Sequence, residues 1–107
     1  MNFFVSPPTI TDLKIELTQL AATLKSQWQK VEICLMENSR IKYSLEWIIF
    51  RESRNLEGAL EETRQAVILD GDVADCANFS LWLRSFIELK YPLFFYDEGY
   101  SADIELQ

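Results

Sequence analysis

Three carboxylates gather around a glycine in Asp70-Gly71-Asp72-Val73-Ala74-Asp75, the stretch of this 107-residue chain that comes nearest to a chemical motif. Oxygen donors at that density suit a hard cation such as Ca²⁺ or Mg²⁺. The spacing departs from an EF-hand loop, which sets ligands at alternate positions and closes on a glutamate. The same residues also serve as a helix start. Asp72 stands where an N-cap accepts a backbone N–H, Asp75 falls three residues on, and both complement the helix dipole. Capping is the preferred reading, so no metal or cofactor is expected. Asp70, Asp72 and Asp75 are the ligands to test if a cation binds.

A second acidic stretch, Tyr96-Asp97-Glu98-Gly99-Tyr100, sets two carboxylates between two tyrosines. Neighbours on a turn point apart, whereas a glycosidase pair needs facing carboxyls roughly 5–9 Å from each other. A hairpin loop with flanking tyrosines fits better. Such a loop can present a contact surface, because tyrosine offers large area at small entropic cost. Arg40, Lys42, Arg51 and Arg54 lie near Tyr43, Trp47 and Phe50. Tyr43 and Trp47, however, share their parity with Ile41, Leu45 and Ile49, which makes them core rather than base-stacking residues. Cys34 and Cys76 lack the histidine that normally activates a nucleophilic thiol. Both have apolar neighbours and are expected to be buried, reduced and unreactive.

Composition removes whole classes of chemistry. With no His and two Cys, histidine acid–base pairs, Ser-His-Asp triads, His-containing zinc sites and all-cysteine zinc sites are excluded. The three glycines, 58, 71 and 99, form no phosphate loop. A net charge of −7 opposes nucleic-acid binding, which draws on a basic footprint. Residues 1–54 carry seven basic and six acidic groups, and residues 55–107 carry three basic and eleven acidic ones. The C-terminal half is therefore suited to steering a basic partner, or simply to solubility. Apolar runs such as Trp47–Phe50 and Pro92–Tyr96 fall far short of the ~20 residues of a membrane span. Met1–Val5 has no basic region ahead of its three apolar residues, so neither a targeting segment nor a membrane partner is expected, and the expected location is cytoplasmic.

The elements that must position these residues follow from periodicity. Ile10, Leu13, Leu17, Leu20, Leu24 and Trp28 form a helical stripe over about 9–28, with Thr9 as N-cap. Val31–Glu37 reads as a strand that turns at Asn38-Ser39 into a second strand over 41–51, although 29–37 could also prolong the first helix. Residues 56–70 fit either a helix or a hairpin turning at Thr63–Gln65, and the hairpin is preferred. A second helix is expected over 72–88, with Val73, Cys76, Ala77, Ser80, Leu83 and Ile87 inward, ending at Tyr91-Pro92. Leu93–Tyr96 and 102–106 complete the pattern, with Ala102, Ile104 and Leu106 facing inward.

These elements predict a single α+β domain over residues 1–107, with two amphipathic helices on a mainly antiparallel sheet of about five or six strands in the order α-β-β-β-β-α-β-β. The expected function is that of a small acidic intracellular protein-interaction or regulatory module without catalysis, such as an inhibitor, an immunity-type protein or an accessory subunit. The competing classes are a carboxylate-based metal protein or enzyme and a homo-oligomeric assembly protein. Strands apolar on both parities, at Ile48 and Phe50 and again at Phe94 and Tyr96, are expected to be covered on both faces or to pair two copies as a homodimer. The expected contact residues are Ile48, Phe50, Phe94, Tyr96, Asp97, Glu98 and Tyr100.

Overall fold

The computed structural model describes residues 2–9, 11–35, 43–52, 54–99 and 103–106. Its elements are β1 (Asn2–Ser6), α1 (Leu17–Gln27), β2 (Val31–Leu35), β3 (Tyr43–Ile49), β4 (Leu56–Glu61), β5 (Val67–Asp70), α2 (Val73–Arg84), β6 (Phe94–Asp97) and β7 (Asp103–Glu105). The seven strands form one sheet in the order β2-β3-β4-β5-β1-β6-β7, and every pairing is antiparallel. The architecture is α+β, as the periodicity predicts, with more strands than the five or six expected.

The additional strand is β1. Phe3 and Val5 are buried, and the strand pairs with β5 on one side and β6 on the other. Its short apolar run carries little signal of its own, because both partners lie more than sixty residues away. Pro7-Pro8 then ends the pairing, since proline has no N–H to give to a ladder.

The first helix begins at Leu17, not near Thr9, and the residue at its N-cap is Glu16. Residues 11–16 run extended, with Leu13 and Ile15 buried and Asp12, Lys14 and Glu16 exposed. Backbone groups of Thr11 and Ile15 are taken by the 61–66 turn, and the Leu13 N–H donates to the Thr11 hydroxyl at 3.1 Å. The Ile15 N–H donates to the Arg64 carbonyl at 2.8 Å, while Gln65 Nε2 donates to the Thr11 carbonyl at 2.6 Å and Gln65 Oε1 accepts the Thr11 N–H at 3.1 Å. Hydrogen bonds to a distant turn replace the intrahelical bonds that the stripe predicts.

The 56–70 segment is the β4–β5 hairpin. Its turn closes through Glu61 N–H to Ala66 carbonyl at 2.9 Å, with Arg64 at φ 62°. Residues 31–35 and 43–49 form the other predicted hairpin, and its turn at Asn38-Ser39 lies outside the described residues. The second helix ends at Arg84, four residues before the expected stop. The chain then tightens, with Phe86 N–H bonded to the Leu83 carbonyl and Ile87 N–H to that of Arg84.

Both helices pack on one face of the sheet. Leu45, Trp47, Ile49, Leu56, Leu60, Val67, Leu69, Val5 and Leu93 are buried there beneath Leu20, Leu24, Cys76, Phe79 and Leu83. Phe79 links the layers: its ring lies 5.7 Å from Trp47 on β3 and 5.5 Å from Trp28 at the end of α1. Val73 and Ile104, both expected inward, are 55% and 60% exposed. Val73 opens the first turn of its helix, and Ile104 sits on the outermost strand, where little lies against it.

Candidate functional site

Strand alternation leaves the second face of the sheet to the even-numbered residues of β1, β2, β3, β5 and β6 and the odd-numbered ones of β4 and β7. The registers align seven of them in one row across the strands: Cys34, Glu46, Ala59, Ile68, Phe4, Tyr96 and Asp103. A flanking row holds Glu32, Ile48, Glu57, Asp70 and Asn2. On the opposite flank Ser6 faces Phe94, and Phe94 faces Glu105. Phe4, Ile48, Ala59, Ile68, Phe94 and Tyr96 are half-buried, and both helices pack on the other side of the sheet. The described elements of the chain therefore cover these strands on one face, not on both.

Side-chain geometry orders the middle of this face. The rings of Phe4 and Tyr96 stack at 5.4 Å, and the Tyr96 hydroxyl shares a 2.7 Å hydrogen bond with that of Ser6. Around this centre stand Glu32, Glu46, Glu57, Glu61, Asp70, Asp103 and Glu105, and none of the seven described strands carries a Lys or Arg. A recess of about 260 Å³ opens between Ile48 and Ile68, floored by Gly58 and Ala59 and rimmed by Glu46, Glu57 and Asp70. Another, of about 190 Å³, lies among Ser6, Pro7, Pro8, Phe94, Tyr96 and Asp103.

The predicted contact residues divide. Ile48, Phe94 and Tyr96 lie on this face. Phe50 stands just past the end of β3, 39% exposed, with its N–H donated to the Lys30 carbonyl. Asp97 closes β6, and Glu98 Oε1 accepts the Asn2 N–H at 2.7 Å, tying the β6–β7 turn to β1. Tyr100 lies outside the described residues. Phe4, Ala59 and Ile68 were not anticipated, although the apolar runs Phe3–Val5 and Val67–Leu69 place a residue on each face.

The Asp70–Asp75 carboxylates do not converge. Asp70 pairs with Arg54 at 3.1 Å, and Asp75 pairs with Arg51 at 3.4 Å. Asp72 occupies the predicted N-cap, yet its side chain makes no capping hydrogen bond; its carbonyl accepts the Cys76 N–H instead. No metal-binding grouping of His, Cys, Asp and Glu occurs among the described residues. Of the two cysteines, expected to be buried, one is and one is not. Cys76 is fully buried, and burial, reinforced by the Asp75 and Asp70 carboxylates, pushes its thiol up to about 11. Cys34 is exposed, because β2 is an outer strand and position 34 falls on the open face.

No helix among the described residues is long and apolar enough to cross a membrane. No family model, curated protein sequence or solved structure matches this chain.

Proposed function

We propose that this chain is a non-catalytic protein-interaction module, of the inhibitor, immunity or accessory-subunit kind, and that it binds through the open face of its sheet. The observation that carries this reading is the apolar band Ile48–Ala59–Ile68–Phe4–Tyr96–Phe94, which crosses five adjacent strands. A contiguous apolar surface rimmed by polar groups is characteristic of a protein contact. Aromatic anchors at its centre and charged residues at its margin match the anatomy of such interfaces.

Affinity capture from the native host tests the reading with two matched variants. Ile68→Asp alters the band, while Leu81→Asp alters an exposed residue of α2 on the opposite side of the molecule. Both should fold, as judged by circular dichroism and melting. A protein retained by the parent chain and Leu81→Asp but lost with Ile68→Asp supports the assignment. Equal retention by all three overturns it.

A further inference from the structure

Building on that reading, we infer that the occupant of the open face is a cationic amphipathic helix of another protein, laid across the strands rather than along them. The band runs from Ile48 on β3 to Phe94 on β6, one residue row to either side of the central line. Four strand spacings make it about 19 Å long, the length of roughly thirteen helical residues. It is narrow, as the apolar stripe of an amphipathic helix is. Its two recesses, beside Ala59 and beside Phe94, lie three strands apart, about 14 Å, so two apolar anchors two to three helical turns apart can fill both.

Charge selects the sign of the partner. Glu57 flanks the band on one side, next to the Asp70–Arg54 ion pair, Glu61 and Glu105 flank it on the other, and Glu46 and Asp103 close its ends. A helix with Lys or Arg beside its apolar stripe sets cations against both flanks. A second copy of this chain would bring the same carboxylates face to face, and like charges held against one another are costly. The acidic margin therefore admits a basic protein and disfavours self-pairing through this face.

The probe is a synthetic sixteen-residue Leu/Lys helix, compared with a scrambled peptide of equal composition and a Leu/Glu version. Binding is measured by calorimetry on the full chain at low and physiological salt. The Leu/Lys helix should bind at least about tenfold more tightly than the scrambled peptide and weaken as salt rises, and the Leu/Glu helix should not bind. Ile68→Asp should reduce affinity about tenfold or more, and Glu57→Lys with Glu61→Lys should shift preference toward the Leu/Glu helix. Equal binding of the scrambled peptide, or no effect of Ile68→Asp, overturns the inference. So does light scattering that shows twice the 12.5 kDa monomer mass, reversed by Ile68→Asp. If the helix fails to bind while host capture still depends on Ile68, the open-face reading stands and the helical partner falls. If both fail, both fall.

Discussion

Gly58 sits directly across the β3–β4 ladder from Trp47, and the indole fills the space where any side chain at position 58 would begin. The nearest atoms are the indole's Cε2, Nε1 and Cζ2, and Trp47 Nε1 is buried with no hydrogen-bond partner. Glycine is needed here for room, since its backbone is not in the left-handed region. Gly58→Ala should therefore destabilise by about 1–3 kcal/mol through overpacking. In a Trp47→Phe background, which lacks the crowding edge, the same substitution should cost less. Urea denaturation of the four variants of that cycle gives the coupling directly.

The two thiols should report on opposite sides of the sheet. Cys34 should react rapidly with a maleimide in the native protein, whereas Cys76 should react only after denaturation. Alkaline stability adds a second readout. The folded thiol of Cys76 titrates near 11 against 9.0 for an ordinary thiol. Between those values the unfolded chain has lost its proton while the folded chain keeps it, so stability falls as pH rises. Two pH units correspond to about 2.7 kcal/mol. The stability difference between the parent and Cys76→Ala should shrink by up to that amount between pH 9 and 11. A constant difference would contradict the burial of this thiol.

Arg84 is only 4% exposed and acts as a strut. Its guanidinium donates to the Tyr91 carbonyl at 2.6 Å and to the Glu88 carbonyl at 3.2 Å, holding the turns that follow α2. Arg84→Met keeps the aliphatic stem but loses both charge-assisted bonds, and should cost about 2–3 kcal/mol. Arg84→Lys should recover only part of this, because an ammonium lacks the planar fork that reaches two carbonyls at once. Thermal melts measure the loss, and faster amide exchange over residues 85–91 would locate it.

Asp72 marks the N-terminus of α2 without a side-chain cap, so Asp72→Ala should cost only a few tenths of a kcal/mol, below the ~1 kcal/mol of a bonded cap. Millimolar Ca²⁺ or Mg²⁺ should leave the melting temperature unchanged, because Asp70 and Asp75 are directed to Arg54 and Arg51. A cation at one hundred times its Kd would add about 2.7 kcal/mol, several degrees for a chain of this size.

Local pattern was sufficient where a segment's own neighbours decide its structure. The alternation of Leu45, Trp47 and Ile49 and the start of α2 at Asp72 were legible in the sequence, and the β4–β5 hairpin was one of the two readings that 56–70 allowed. The α+β class was legible as well, because two helical stripes among alternating runs have few ways to bury their apolar sides. Tertiary structure decided what depends on distant partners. Residues 11–16 read as helical because Leu13 continues a four-residue spacing; Arg64 and Gln65, some fifty positions away, take backbone groups of Ile15 and Thr11 and hold the segment extended. Phe3-Phe4-Val5 is too short to announce a strand, and it becomes the link between β5 and β6 only because those two strands stand on either side of it. The candidate surface follows the same logic. Sequence alternation identifies Ile48, Phe94 and Tyr96 as apolar residues on a second face, but it cannot tell whether that face is covered. Coverage was settled when α1 and α2 both packed on the side of Trp47 and Phe79. That choice is made by long-range packing of side chains, and no local periodicity encodes it.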